Sequence, residues 1–93
     1  MQSFKKLIEK GALSYTAIYL HLPRFIDEDN VEEMLALVPG QWKENFYSEI
    51  IAFDPNQIWD NSDYPVGLPP PEYSRGMAIL REYITRIKPN EPN

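Results

Sequence analysis

Apolar positions recur at helical spacing along most of this chain and lose that spacing in one long stretch. Tyr73, Met77, Leu80, Ile84 and Ile87 alternate intervals of four and three, the clearest amphipathic pattern present. It predicts a helix over 72–87, opened by acidic Glu72 and stopped by Pro89, with Arg86 and Lys88 suited to its C-terminus. Trp42, Phe46, Ile50 and Phe53 mark a second helix over about 41–53, with Tyr47 and Ile51 widening its apolar stripe. Val31, Met34, Leu35 and Val38 form the buried face of a shorter one, ended by Pro39 and Gly40. Just before it, Asp29 with Glu32, or Asn30 with Glu33, has the spacing of a capping box.

The first part of the chain reads in two ways. Phe4, Leu7, Ile8, Tyr15, Ile18, Tyr19 and Leu22 keep helical spacing, and from Ala12 onward the segment is apolar on nearly every side. Such a helix is usually a central one. Gly11 is its weak point, because glycine costs about 1 kcal/mol against alanine inside a helix. The rival reading makes 13–22 a strand, with Thr16, Ile18, Leu20 and Leu22 on one face. Pro23 ends the element either way, by disfavouring helical geometry at Leu22. The expected fold is therefore all-α: a bundle of about four helices in one domain over 1–93, with Gly11 a candidate break and 89–93 a frayed tail. The alternative is α+β, with residues 13–22 as a strand.

Residues 53–73 have neither helical nor strand period. They hold five of the nine prolines, one of the two tryptophans, and no Lys or Arg. Residues 54–56 and 60–63 have turn composition, and Pro69, Pro70 and Pro71 favour an extended polyproline path. A structureless loop of this length is uncommon in a compact domain. Ile58, Trp59, Tyr64, Val66 and Leu68 are expected to be covered, with Trp59 and Tyr64 anchoring the segment across the helices.

Charge sharpens the picture. Residues 1–26 carry Lys5, Lys6, Lys10 and Arg24 against Glu9, a balance of +3. Residues 27–72 set eleven acids against Lys43, a balance of −10, and the remainder returns to +2 with four bases against two acids. Basic ends packed beside an acidic middle would partly neutralise it, and the alternative is an acidic face presented to a basic partner. The acidic block repels phosphate, so nucleic acid is an unsuitable partner. Stacking of bases on the aromatics would also need nearby cations, and the region 42–64 has only Lys43. The apolar run 12–22 is too short to span a bilayer as a helix. The opening residues lack the apolar core of a signal peptide, so the expected location is the cytoplasm, with no membrane partner.

Candidate chemistry is sparse. There is no cysteine and one histidine, so a zinc site would need three converging carboxylates, and neither a metal nor a cofactor is expected. Asp60 and its neighbours lack the glycine and the terminal Glu of a calcium loop. Ser14 and His21 lie two helical turns apart, about 10 Å, too far for a nucleophile–base pair. Gly67 and Gly76 belong to no phosphate loop, and Gly76 is expected to permit close helix packing. What remains is protein interaction, for which Trp and Tyr are favoured anchors. The pattern favours a non-catalytic interaction module (an accessory subunit, inhibitor or regulatory factor) using an acidic, aromatic surface around residues 54–66, with Trp59, Asp60, Asp63 and Tyr64 as the contact residues. A small enzyme using Asp or Glu with His21, and a homodimer with no other partner, are the competing expectations.

Overall fold

The computed structural model describes residues 2–87, with side chains from Phe4 onward. Five helices follow in order: α1 Gln2–Glu9, α2 Tyr15–His21, α3 Val31–Leu35, α4 Gly40–Ala52 and α5 Pro71–Ile87. A 3-10 turn, Leu22–Phe25, continues directly from α2. Helix takes up more than half of the described residues, against about a third in an average globular protein, and no strand occurs among them. The fold is all-α, and residues 15–21 are helix rather than strand. The expected frayed tail, 89–93, lies outside the described residues.

Gly11 does break the first helical pattern, for a reason the spacing alone conceals. Its φ is +72°, a left-handed angle that suits glycine. Its N–H donates to Ile8 O (2.9 Å), and Ala12 N–H donates to Leu7 O (2.9 Å). These two bonds form a Schellman cap. Gly11 is thus the terminator of α1 rather than a weak residue inside a longer helix. Ser14 then restarts the chain as the N-cap of α2, its Oγ accepting from Ala17 N–H (3.1 Å).

The element that the others pack against is α5, not the apolar N-terminal segment. It meets the 3-10 turn, α4 and α3. Tyr73, Met77, Leu80 and Ile84 are buried as their spacing predicts, whereas Ile87 is exposed. They share the core with Ile8, Ile18, Leu22, Ile26, Val31, Met34, Leu35, Val38, Phe46 and Ile50. At its crossing with the turn, Gly76 lies so close to Pro23 that a Cβ would sit 1.8 Å from the Pro23 carbonyl oxygen. Glycine is needed there for approach, as its place in the helix suggests. On α4, Phe46 and Ile50 are buried and Trp42, Tyr47 and Phe53 half-buried, but Ile51 faces outward.

The capping box before α3 does not form. Asn30 occupies the N-cap position without a side-chain capping bond. Instead its Oδ1 accepts from Asp27 N–H (2.7 Å) and its Nδ2 donates to Phe25 O (3.0 Å), so it closes the loop after the 3-10 turn. The acids nearby are met from the basic ends: Lys5 pairs with Glu33 (2.6 Å) and Arg75 with Asp27 (3.3 Å). Exposed pairs of this kind contribute little to stability.

Half-buried Tyr15 and Tyr19 and buried Tyr73 predict a fold sensitive to alkali. The Tyr15 hydroxyl is buried with no hydrogen-bond partner among the described residues, and burial pushes its pKa from 10.0 up to about 12. Burial raises Tyr19 and Tyr73 in the same direction. A raised folded-state value means that the fold favours the neutral phenol. That contribution is complete below about pH 10, the unfolded value, and is lost as pH rises towards the folded one. Helical circular dichroism is expected to hold to about pH 10 and to fall between about pH 10 and 12, together with the rise of phenolate absorbance. Full phenolate titration near pH 10 with unchanged helicity would contradict this.

Candidate functional site

The stretch between α4 and α5 is ordered by local bonds that its composition foreshadows. The Asp54 carboxylate accepts from Asn56 N–H (2.9 Å), and its carbonyl accepts from Gln57 N–H (3.1 Å), which turns the chain out of α4. From α5, Arg81 donates to Ile51 O (2.6 Å) and Phe53 O (3.0 Å), meeting carbonyls that the end of α4 leaves open. A second turn forms where Asn61 Oδ1 accepts from both Asp63 N–H (2.9 Å) and Tyr64 N–H (3.1 Å). The loop is pinched by a single antiparallel bridge, Trp59 with Gly67, carrying both reciprocal bonds (2.7 and 3.2 Å). Gly67 takes φ +150°, an angle rare for residues with a side chain. Pro71 then opens α5, where a missing N–H is harmless.

One side of this bridge grips the helices. The Trp59 ring meets the buried Tyr73 ring edge-on at 4.6 Å and lies 5.2 Å from the ring of Tyr64. Tyr73 continues the column to Tyr19 (6.2 Å) and Phe53 (5.6 Å), and Tyr19 passes it to Phe46 (6.3 Å). Aromatic pairs of this geometry contribute about 0.5–1.5 kcal/mol each beyond the area they bury. The Tyr64 hydroxyl donates to Leu20 O (2.7 Å), near the end of α2, and Tyr73 donates to Tyr19 O (2.6 Å). Burial raises the pKa of Tyr64, although Arg24, 5.9 Å from its ring, opposes the rise. His21 Nε2 lies 2.9 Å from Asp63 Oδ2, so that with its proton on Nε2 the ring donates to the carboxylate.

An Asp–His pair of this kind orients a general base in hydrolases. Here the second ring nitrogen, Nδ1, faces the Tyr64 hydroxyl at 3.4 Å, and that hydroxyl is already committed to Leu20 O. The cluster therefore acts as a latch between the loop and α2. Of the four residues singled out from the sequence, Trp59, Asp63 and Tyr64 converge on this inner side. Asp60 does not: it is exposed and makes none of these contacts.

The outer side is what the sequence reading missed. Ile58 is 60% exposed, Val66 69% and Leu68 58%, where burial of all three was expected. The bridge sets Ile58 across from Leu68 and Asp60 across from Val66, and all four are exposed where Trp59 is half-buried. The signal was a short one: a large aromatic after Ile58 facing a glycine between Val66 and Leu68. No Lys or Arg occurs between Lys43 and Arg75. Of the acids here, Asp63 has His21 and Glu72 has Arg24 at 3.8 Å, while Asp54 and Asp60 have no ion-pair partner among the described residues.

A separate apolar groove of about 370 Å³ runs between the end of α4 and α5, lined by Ile50, Phe53, Pro55, Met77 and Ala78, with Arg81 and Glu82 at its edge. It contains none of the loop's outward aliphatic residues. Among the described residues no group of three His, Asp or Glu side chains is placed to hold a metal ion, and no helix is long and apolar enough to cross a membrane. No protein-family model, curated protein or solved structure matches this chain.

Proposed function

We propose that this protein is a non-catalytic interaction module of the cytoplasm, an accessory subunit, inhibitor or regulatory factor, whose contact surface is the outer side of residues 58–68. The observation that carries this reading is the exposure of Ile58, Val66 and Leu68 together on an ordered loop. Scattered single aliphatic residues on a surface need no explanation, but a group of them on one small face does. The loop has ample means of holding itself down: the Trp59–Tyr73 contact, the Tyr64 hydroxyl and the Asp63–His21 pair. Its outward aliphatics are not needed for that, which leaves them available to a partner. Trp59, Asp63 and Tyr64 support the surface from behind, and Asp60 belongs to it.

The test is quantitative affinity capture from the cells in which the protein occurs, comparing wild type with the double variant Ile58→Ser/Leu68→Ser. Both positions are exposed, and surface changes of this kind usually alter stability by less than about 0.5 kcal/mol. Proteins retained by the wild type are expected to be lost by the variant while its helical content is unchanged. Retention of the same proteins by both would remove the proposed surface.

A further inference from the structure

The chemistry of this face also defines what should cover it. Resting on the interaction reading above, we infer that the occupant is a segment of another protein that presents aliphatic side chains flanked by Lys or Arg. The aliphatic requirement comes from Ile58, Val66 and Leu68. The cationic requirement comes from Asp60, exposed across the bridge from Val66, and from exposed Asp54 at the entry of the loop. Neither acid has a cation of its own among the described residues, and the sequence supplies none between Lys43 and Arg75.

Charge separates the other occupants from this one. A second copy docking by a two-fold axis would set the same patch against itself. Asp60 would then face a neighbourhood with Asp60 in it, within the roughly 8 Å over which charges are felt at physiological salt. Phosphate-bearing surfaces, whether nucleic acid or an anionic bilayer, meet the same repulsion. A basic, aliphatic segment satisfies both demands at once, and opposite charge at the rim speeds encounter more than it deepens affinity. Three aliphatic side chains make a small interface, of the size found in transient rather than permanent complexes.

The experiment is fluorescence anisotropy on the intact protein with three labelled peptides of equal length. One alternates Lys with Leu and Val, the second replaces every Lys with Glu, and the third replaces every Leu and Val with Ser. The Lys–aliphatic peptide is expected to bind about tenfold or more tighter than either control, and to weaken as salt rises. Its binding is expected to fall in Asp60→Lys and to be lost in Ile58→Ser/Leu68→Ser. Equal binding of all three peptides overturns the proposal, as does a Lys–Ser peptide that binds as well as the Lys–aliphatic one. So does binding indifferent to Asp60→Lys. If cellular capture depends on Ile58 and Leu68 but not on the charge at position 60, the surface stands and the basic partner falls. If it depends on neither, the surface itself is wrong.

Discussion

Gly76→Ala is expected to destabilise the protein by about 3 kcal/mol or more, even though alanine is the better helix former. In an open helix the change would gain about 1 kcal/mol. Here the new methyl would lie 1.8 Å from the Pro23 carbonyl oxygen and 2.7 Å from its carbonyl carbon. Those are backbone atoms of a buried 3-10 turn, so no side chain can swing aside to make room. Either α5 retreats, opening the packing of Tyr73, Met77 and Leu80, or the turn distorts. Denaturant unfolding followed by circular dichroism measures the loss. Gly40→Ala is the control, since nothing lies within 4 Å of its added methyl and stability should hold or rise slightly. Equal stability of Gly76→Ala and wild type would show that α5 does not cross the turn as described.

Tyr73→Ala is expected to cost about 3–5 kcal/mol, the range for removing a large buried aromatic ring. A domain of this size has only about 5–14 kcal/mol of stability in all, so the change removes a large share of it. The ring is fully buried and stands between the rings of Trp59, Phe53 and Tyr19. Its loss therefore weakens the core and frees the loop together. Tyr73→Phe keeps the ring and removes only the bond to Tyr19 O, with an expected loss of about 1 kcal/mol. Urea unfolding of the two variants, with Trp fluorescence to follow solvation of Trp59, separates ring from hydroxyl. Similar losses in both would show that the aromatic column contributes nothing beyond one hydrogen bond.

The helices were legible because burial imposes a period on them. Tyr73, Met77, Leu80 and Ile84 could hardly be read otherwise, and Gly76 sat where a close crossing needs it, whereas Pro71, read as the end of an extended path, instead opens α5. The errors lay where local chemistry has two equivalent outlets. Gly11 can weaken a helix or end it, and only the Ile8 and Leu7 carbonyl bonds show that it ends α1. Asn30 can cap a helix or close the loop before it, and Phe25 O took its amide. In the loop, partners lie too far apart in sequence to leave a period: His21 with Asp63, Tyr64 with Leu20, Trp59 with Tyr73. The expectation that Ile58, Val66 and Leu68 would be covered followed from their hydrophobicity. It failed because Trp59 and Tyr64 take up the contacts with the helices and leave these three exposed.

That division of the loop into a holding side and a spare side is the central claim, and paired thermal melts test it most directly. Trp59→Ala should lower the melting temperature by at least several degrees, since each kcal/mol shifts a domain of this size by about 4–8 °C. Ile58→Ser/Leu68→Ser should melt within about 2–4 °C of wild type, because exposed positions shift stability by no more than about 0.5 kcal/mol. A double variant that melts as early as Trp59→Ala, or a Trp59→Ala protein as stable as wild type, would contradict the account.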